Sequence, residues 1–213
     1  MLGYDLSRPP EARDGTTVAM LLHGRGSHRG DLQALRPHLP DSWTVVTPQA
    51  PHPGHPWGYG PGWAWYRYLE EDRVEEESLA RSLEDLERFV AQLPRLLGFQ
   101  PGHLILGGFS QGGTMSMAYA YTHPGAVTAA WNFSGFLADS PIVATSGLGP
   151  GATPVFWGHG TRDPNIPHGL AEKGRGVLRR NGAPLTIGDY DIGHWIDPAE
   201  IVDAVAFVEG LER

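Results

Sequence analysis

The chain has no cysteine. That excludes disulfides and thiol nucleophiles, and it fits a cytoplasmic protein. Lysine is nearly absent as well. Lys173 is the only one among 16 lysines and arginines, a bias that reads as coding preference and not as function. The 24 acidic residues outnumber them, so the net charge is −8. Nucleic acid and anionic lipid are recognised through clustered Lys and Arg, so neither is expected as a partner. No apolar run reaches the roughly 18 residues that a membrane span requires. The opening residues Met1 to Asp5 lack the basic and apolar stretches of a signal peptide, and none is expected. Internal repeats and dividing linkers are also missing, and 213 residues suit one domain over 1–213.

What the chain does contain is an alternation of two patterns. Apolar, strand-like runs occur at 18–22, 43–47, 103–109, 127–133, 154–157 and 185–190. Helical patterns lie between and after them, at 31–39, 71–93, 112–121, 168–180 and 198–211. In the second of these, Val74, Leu79, Leu83, Leu86, Phe89, Val90 and Leu93 recur at helical spacing. Asp197 and Pro198 suit the cap and first turn of the last helix. Strands alternating with helices imply an α/β fold, a mostly parallel sheet with helices on both faces.

The most informative stretch is Leu104 to Thr114. An apolar run ends in Gly108-Phe109-Ser110-Gln111-Gly112, and a helix rich in small residues follows. A Gly-x-Ser-x-Gly pattern arises by chance about 0.2 times in a chain this rich in glycine, so the flanking strand and helix carry the weight. Together they describe a nucleophile elbow, a tight turn that holds a serine hydroxyl exposed at a helix N-terminus. Side chains at Gly108 and Gly112 would block the approach of strand and helix.

Serine is a weak nucleophile without a base beside it, and histidine is the natural base near neutral pH. A carboxylate must then fix the imidazole tautomer. Asp163 follows the strand at 154–157, and His194 follows the strand at 185–190. The order Ser110, Asp163, His194 and their place beyond strand ends fit an α/β-hydrolase. Two backbone N–H groups are needed for the oxyanion. Gln111, next to the nucleophile, supplies one. Arg25, in the Gly-containing turn after the strand at 18–22, is the candidate for the other. Asp189 and Asp191 are poorer acid candidates, because they precede His194 on its own strand. Asp197 is better used as a cap.

Other features have simpler readings. His23 is expected to orient the oxyanion turn through hydrogen bonds, and His159 to be structural. His52 and His55 lie in a proline-rich loop without a metal-like spacing, so no metal is expected. Gly24 and Gly26 are not followed by the lysine of a phosphate loop. Met115 and Met117 read as core. Residues 48–68, rich in Trp and Tyr, form too long and aromatic a stretch for a mere connection. Trp65 and Tyr66 stand there as candidate substrate-binding residues together with His23, and core cover is an equal reading for the two aromatics.

Leu22-His-Gly-Arg-Gly26, Gly108-Phe-Ser-Gln-Gly-Gly113, His159-Gly-Thr-Arg-Asp163 and Gly193-His194 together resemble the phospholipase/carboxylesterase family of α/β-hydrolases. The family includes bacterial carboxylesterases and acyl-protein thioesterases. The resemblance implies a compact α/β-hydrolase fold without a separate lid domain. It also implies hydrolysis of carboxylic esters or thioesters with no cofactor. It assigns Ser110 as nucleophile, Asp163 as acid, His194 as base, and the amides of Arg25 and Gln111 as oxyanion donors. Arg25 departs from the small or apolar residue usual at its position, and Ser27 from the usual acid. The expected activity is that of a serine carboxylesterase acting on short-to-medium acyl or aryl esters, with thioesters and lysophospholipids as further substrates of the same class. A non-catalytic ligand-binding protein on the same fold is the alternative. A homodimer is left open.

Overall fold

The computed structural model describes residues 1–211. Seven strands form the main sheet: β1 (Tyr4–Ser7), β2 (Val18–Leu22), β3 (Thr44–Pro48), β4 (Leu104–Phe109), β5 (Ala129–Phe133), β6 (Val155–Gly160) and β7 (Leu185–Tyr190). Their order across the sheet is β1-β3-β2-β4-β5-β6-β7. β1 runs antiparallel to β3, and every other neighbouring pair is parallel. The expected mixed, mostly parallel sheet is what the chain forms. Among the described residues, no helix is long and apolar enough to cross a membrane.

The central strands are apolar throughout because both faces of the sheet are covered. Val18, Met20 and Leu22 of β2 face one core, while Ala19 and Leu21 face the other. Helices α1 (Glu76–Leu97), α2 (Gln111–Thr122) and α3 (His168–Arg180) pack on the first face. Helix α4 (Pro198–Leu211) and the 3-10 segment Asp31–His38 pack on the second. The strand order reverses beside β2, so loops leave β2 and β4 in opposite directions and open a crevice at their carboxyl ends.

Three sequence expectations are corrected. β1 lies in a stretch that showed no strand pattern. Val74 does not belong to the long helix; it pairs with Tyr68 in a ribbon of Tyr68–Glu70 and Arg73–Val74, and α1 begins only at Glu76. At the other end the helix runs past Leu93 through Pro94. It stops at Gly98, which has φ 78° and donates its N–H to the Pro94 carbonyl at 2.9 Å. A left-handed glycine there satisfies the last turn and overrides the proline as the stop signal.

Asp197 caps α4, accepting the Ala199 N–H at 2.8 Å, and Glu200 returns the favour by accepting the Asp197 N–H at 3.3 Å. Glu200 is fully buried, and a Cβ on Gly158 would meet its Oε1 at 1.9 Å. Burial pushes its carboxyl up to about 8, against smaller lowering by the Asp197 bond and by Arg175. The folded chain therefore holds a proton that the unfolded chain releases above about 4.5. Stability from this group is lost as pH rises from about 4.5 to about 8. Glu200→Gln keeps the capping oxygen and removes the ionisation. Its melting temperature relative to wild type is expected to climb steadily between pH 5 and 8; parallel pH profiles would contradict the assignment.

Candidate active site

Ser110 joins β4 to α2 with φ 54° and ψ −115°, a conformation L-residues avoid. Neighbours hold it there. Its N–H donates to the Phe133 carbonyl at 2.7 Å, and its carbonyl accepts the Thr114 N–H at 3.1 Å. A Cβ on Gly112 would stand 1.9 Å from the Leu22 carbonyl oxygen, so α2 touches β2 backbone to backbone.

The three sequence-predicted side chains meet. Ser110 Oγ lies 2.9 Å from His194 Nε2, and His194 Nδ1 lies 2.6 Å from Asp163 Oδ2. Asp163 Oδ1 accepts the N–H groups of Asn165 at 2.8 Å and Ile166 at 2.9 Å. Burial works to raise the Asp163 carboxyl. The bond from His194 and the two amides outweigh it and hold the group below its ordinary value. The imidazole therefore faces a permanent anion on one side and a hydroxyl on the other, with the Phe109 ring 4.8 Å away between centroids. Asp189 and Asp191 are engaged elsewhere. Asp189 pairs with His168 and Arg175, and Asp191 with Arg162.

His159 has a part that the sequence reading undervalued. It is fully buried in β6, donates from Nε2 to the Ile166 carbonyl at 2.9 Å, and lies 3.7 Å from Asp163 Oδ2. Ile166 is thus held through both its carbonyl and its N–H, which fixes the loop that presents Asp163. Burial depresses the His159 pKa and keeps the ring neutral beside that carboxylate. The four-residue interval from His159 to Asp163 was the available signal.

A cleft of about 370 Å³ lies over these groups. Gly24, Arg25 and Gln111 reach it along with Ser110 and His194. Gln111 is the first residue of α2, so its N–H has no carbonyl within the helix. Of the three expected substrate-binding residues, only Tyr66 lines the cleft. Burial holds its phenol well above the ordinary range, so it presents a neutral wall. Trp65 and His23 sit behind it. Trp65 is fully buried and donates from Nε1 to the His23 carbonyl at 3.0 Å. His23 Nε2 accepts the Ala50 N–H at 3.1 Å, which leaves Nδ1–H to donate to the Gly24 carbonyl at 2.8 Å. Burial lowers its pKa to about 4. Both residues brace the turn at Gly24 and Arg25, and neither lines the cleft. Tyr68, Phe136 and Leu170 do line the cleft, and no sequence pattern had marked them.

Two groups resemble metal sites in composition. His52 bonds through Nε2 to the Ser78 carbonyl and packs against Trp57. His168, Glu172 and Asp189 bring ligand-type atoms within 4.8 Å of one another. Arg175 Nη1 lies 2.8 Å from both carboxylates, so a guanidinium already supplies their positive charge.

Residues 9–211 match the family model described as phospholipase/carboxylesterase. The chain belongs to this family. It is 30% identical over 157 residues to acyl-protein thioesterase 1 of Saccharomyces cerevisiae, covering 68% of this chain and 67% of the yeast protein. The Bacillus cereus carboxylesterase structure matches with a TM-score of 0.81 at 20% identity, over 99% of this chain and 95% of that one, a likeness of fold. Esterase PE8 matches with a TM-score of 0.76 at 28% identity, over 99% of each chain. This phospholipase/carboxylesterase member is thus an α/β-hydrolase enzyme of the serine-hydrolase class.

In this family member the side chain of Gln111 does structural work as well. Its Oε1 accepts the Trp65 N–H at 2.8 Å and its Nε2 donates to the Tyr66 carbonyl at 2.7 Å. Gln111→Ala would leave two buried backbone groups unsatisfied. Each such group costs about 1–3 kcal/mol, so urea unfolding is expected to show a loss of about 2–6 kcal/mol. A change under about 1 kcal/mol would show that water replaces the amide at no penalty.

Proposed function

We propose that the chain is a serine carboxylesterase that hydrolyses short-to-medium acyl or aryl esters through an acyl-enzyme, with residues 1–213 acting as one catalytic domain. One observation carries the reading: the unbroken contact from Ser110 Oγ through the His194 ring to Asp163 Oδ2, at 2.9 and 2.6 Å. His194 Nε2 takes the hydroxyl proton as Ser110 Oγ bonds to the ester carbonyl carbon. The carbonyl oxygen becomes an oxyanion and receives the N–H groups of Arg25 and Gln111. Each such donor is worth about 3–4 kcal/mol of barrier. The carbon–oxygen bond to the alcohol then breaks, and the alcohol leaves with the proton from His194. Water gives a proton to His194 and its oxygen to the acyl carbon. The acid departs and Ser110 recovers its proton.

The apolar wall of Tyr66, Phe136, Ile166 and Leu170 supports a small hydrophobic acyl or aryl group. The same chemistry serves thioesters and lysophospholipids, and the thioesterase names among the relatives keep thioesters within the proposal. Asp163 is held low, so it stays ionised wherever the imidazole works as a base.

Ser110→Ala is expected to remain folded and to lower turnover of p-nitrophenyl butyrate about 10⁴-fold, with loss of fluorophosphonate labelling. Unchanged turnover would remove Ser110 from the reaction. Across p-nitrophenyl acetate to palmitate, turnover is expected to peak at a short or medium chain, and a maximum at palmitate would contradict the proposed acyl size.

A further inference from the structure

The cleft also holds an exposed arginine that rests on two aromatic rings and has no ionic partner among the described residues. The guanidinium carbon of Arg25 lies 4.8 Å from the Tyr59 ring centre and 5.8 Å from that of Tyr68. The two rings give the exposed side chain a preferred place, which lowers part of the ordering cost a ligand would meet. Several other arginines are paired: Arg29, Arg67, Arg73, Arg88 and Arg162 each meet a carboxylate at 3.4 Å or less. Arg25 has no carboxylate within 4.0 Å and no hydrogen-bond acceptor among the described residues.

Two acids line the same cleft, and they do not neutralise it. Asp31 Oδ2 is occupied by the Ser27 hydroxyl at 2.6 Å, and both Asp31 and Glu71 are exposed. Solvent screens their repulsion of an anion, whereas a ligand carboxylate would meet the Arg25 fork in direct contact. A planar guanidinium presents paired N–H donors at the spacing of carboxylate oxygens. Phe136, Ile166 and Leu170 line the same cleft and give it apolar surface, with the Phe136 ring 6.1 Å from that of Tyr68.

We propose that Arg25 selects esters carrying a free carboxylate a few bonds from the scissile carbonyl, on a short apolar spacer. This rests on the esterase reading above. The chemistry admits the carboxylate on either side of the ester, as in a half-ester of a dicarboxylic acid or an ester of a hydroxy acid.

Four esters test it by pH-stat at neutral pH: monoethyl glutarate, 3-carboxypropyl butyrate, neutral ethyl pentanoate and a cationic ethyl trimethylammoniobutyrate. For wild type, at least one carboxylate ester is expected to exceed ethyl pentanoate about 10-fold in kcat/KM, and the preference should shrink as salt is added. In Arg25→Gln that ratio is expected to fall to near one, chiefly through KM. Arg25→Lys should keep only part of it, because the charge remains and the fork is lost. Preference for the neutral or cationic ester in wild type, or a ratio that survives Arg25→Gln, would overturn the inference. Fluorophosphonate labelling at Ser110 with no carboxylate preference removes this inference alone. No labelling and no turnover of any ester removes the esterase reading with it.

Discussion

Helix α2 can rest on β2 only where a side chain is missing, and the backbone contact between Gly112 and Leu22 sets the dimensions of the cleft. The turn at Ser110 begins on one side of that contact and the turn at Gly24 and Arg25 on the other. His23, Gly24 and Arg25 follow Leu22 directly, so their distance from Ser110 is fixed by two packed backbones and not by flexible side chains. The unfavourable φ of Ser110 is tolerated because the same packing, with the Phe133 carbonyl and the Thr114 N–H, leaves the turn no other conformation.

Around this contact the protein spends its buried polar groups on rigidity. His23, neutral and bonded at both nitrogens, ties the oxyanion turn to Ala50. Trp65 holds the His23 carbonyl, and Gln111 holds the segment that carries Trp65 and Tyr66. Ser82 of α1 donates to the Trp65 carbonyl. The aromatic stretch that looked from sequence like a substrate rim is half a frame. Its framing half braces the turn that carries Arg25 into the cleft.

Much of this was legible in the sequence, and the exceptions have physical causes. β2, β7, α3 and α4 have the expected bounds because apolar periodicity and end signals agreed there. β1 is short, antiparallel and half exposed, so no apolar run betrays it. Val74 kept helical spacing with the residues after it by coincidence, and a ribbon of two short strands claimed it. The meeting of Ser110, Asp163 and His194 was readable because each follows a strand, and strand ends are where the sheet gathers loops. The split between Trp65 and Tyr66 was not. Both lie in a bend just before the ribbon strand Tyr68–Glu70, where no two-residue alternation applies. Which one faces the cleft depends on the bonds that Gln111 makes, a contact 45 or 46 positions away. Phe136, Ile166 and Leu170 arrive on separate loops and helices and share no pattern at all.

The parallel pairing of β6 with β7 aligns Gly160 with Tyr190. Asp163 stands three residues beyond the first and His194 four beyond the second, so acid and base become neighbours through register alone. β7 is also the border strand of the sheet and the last to be synthesised. A one-residue slip of this edge strand would carry the proposed base away from the proposed acid, so the phase of a single strand pairing decides whether the two meet.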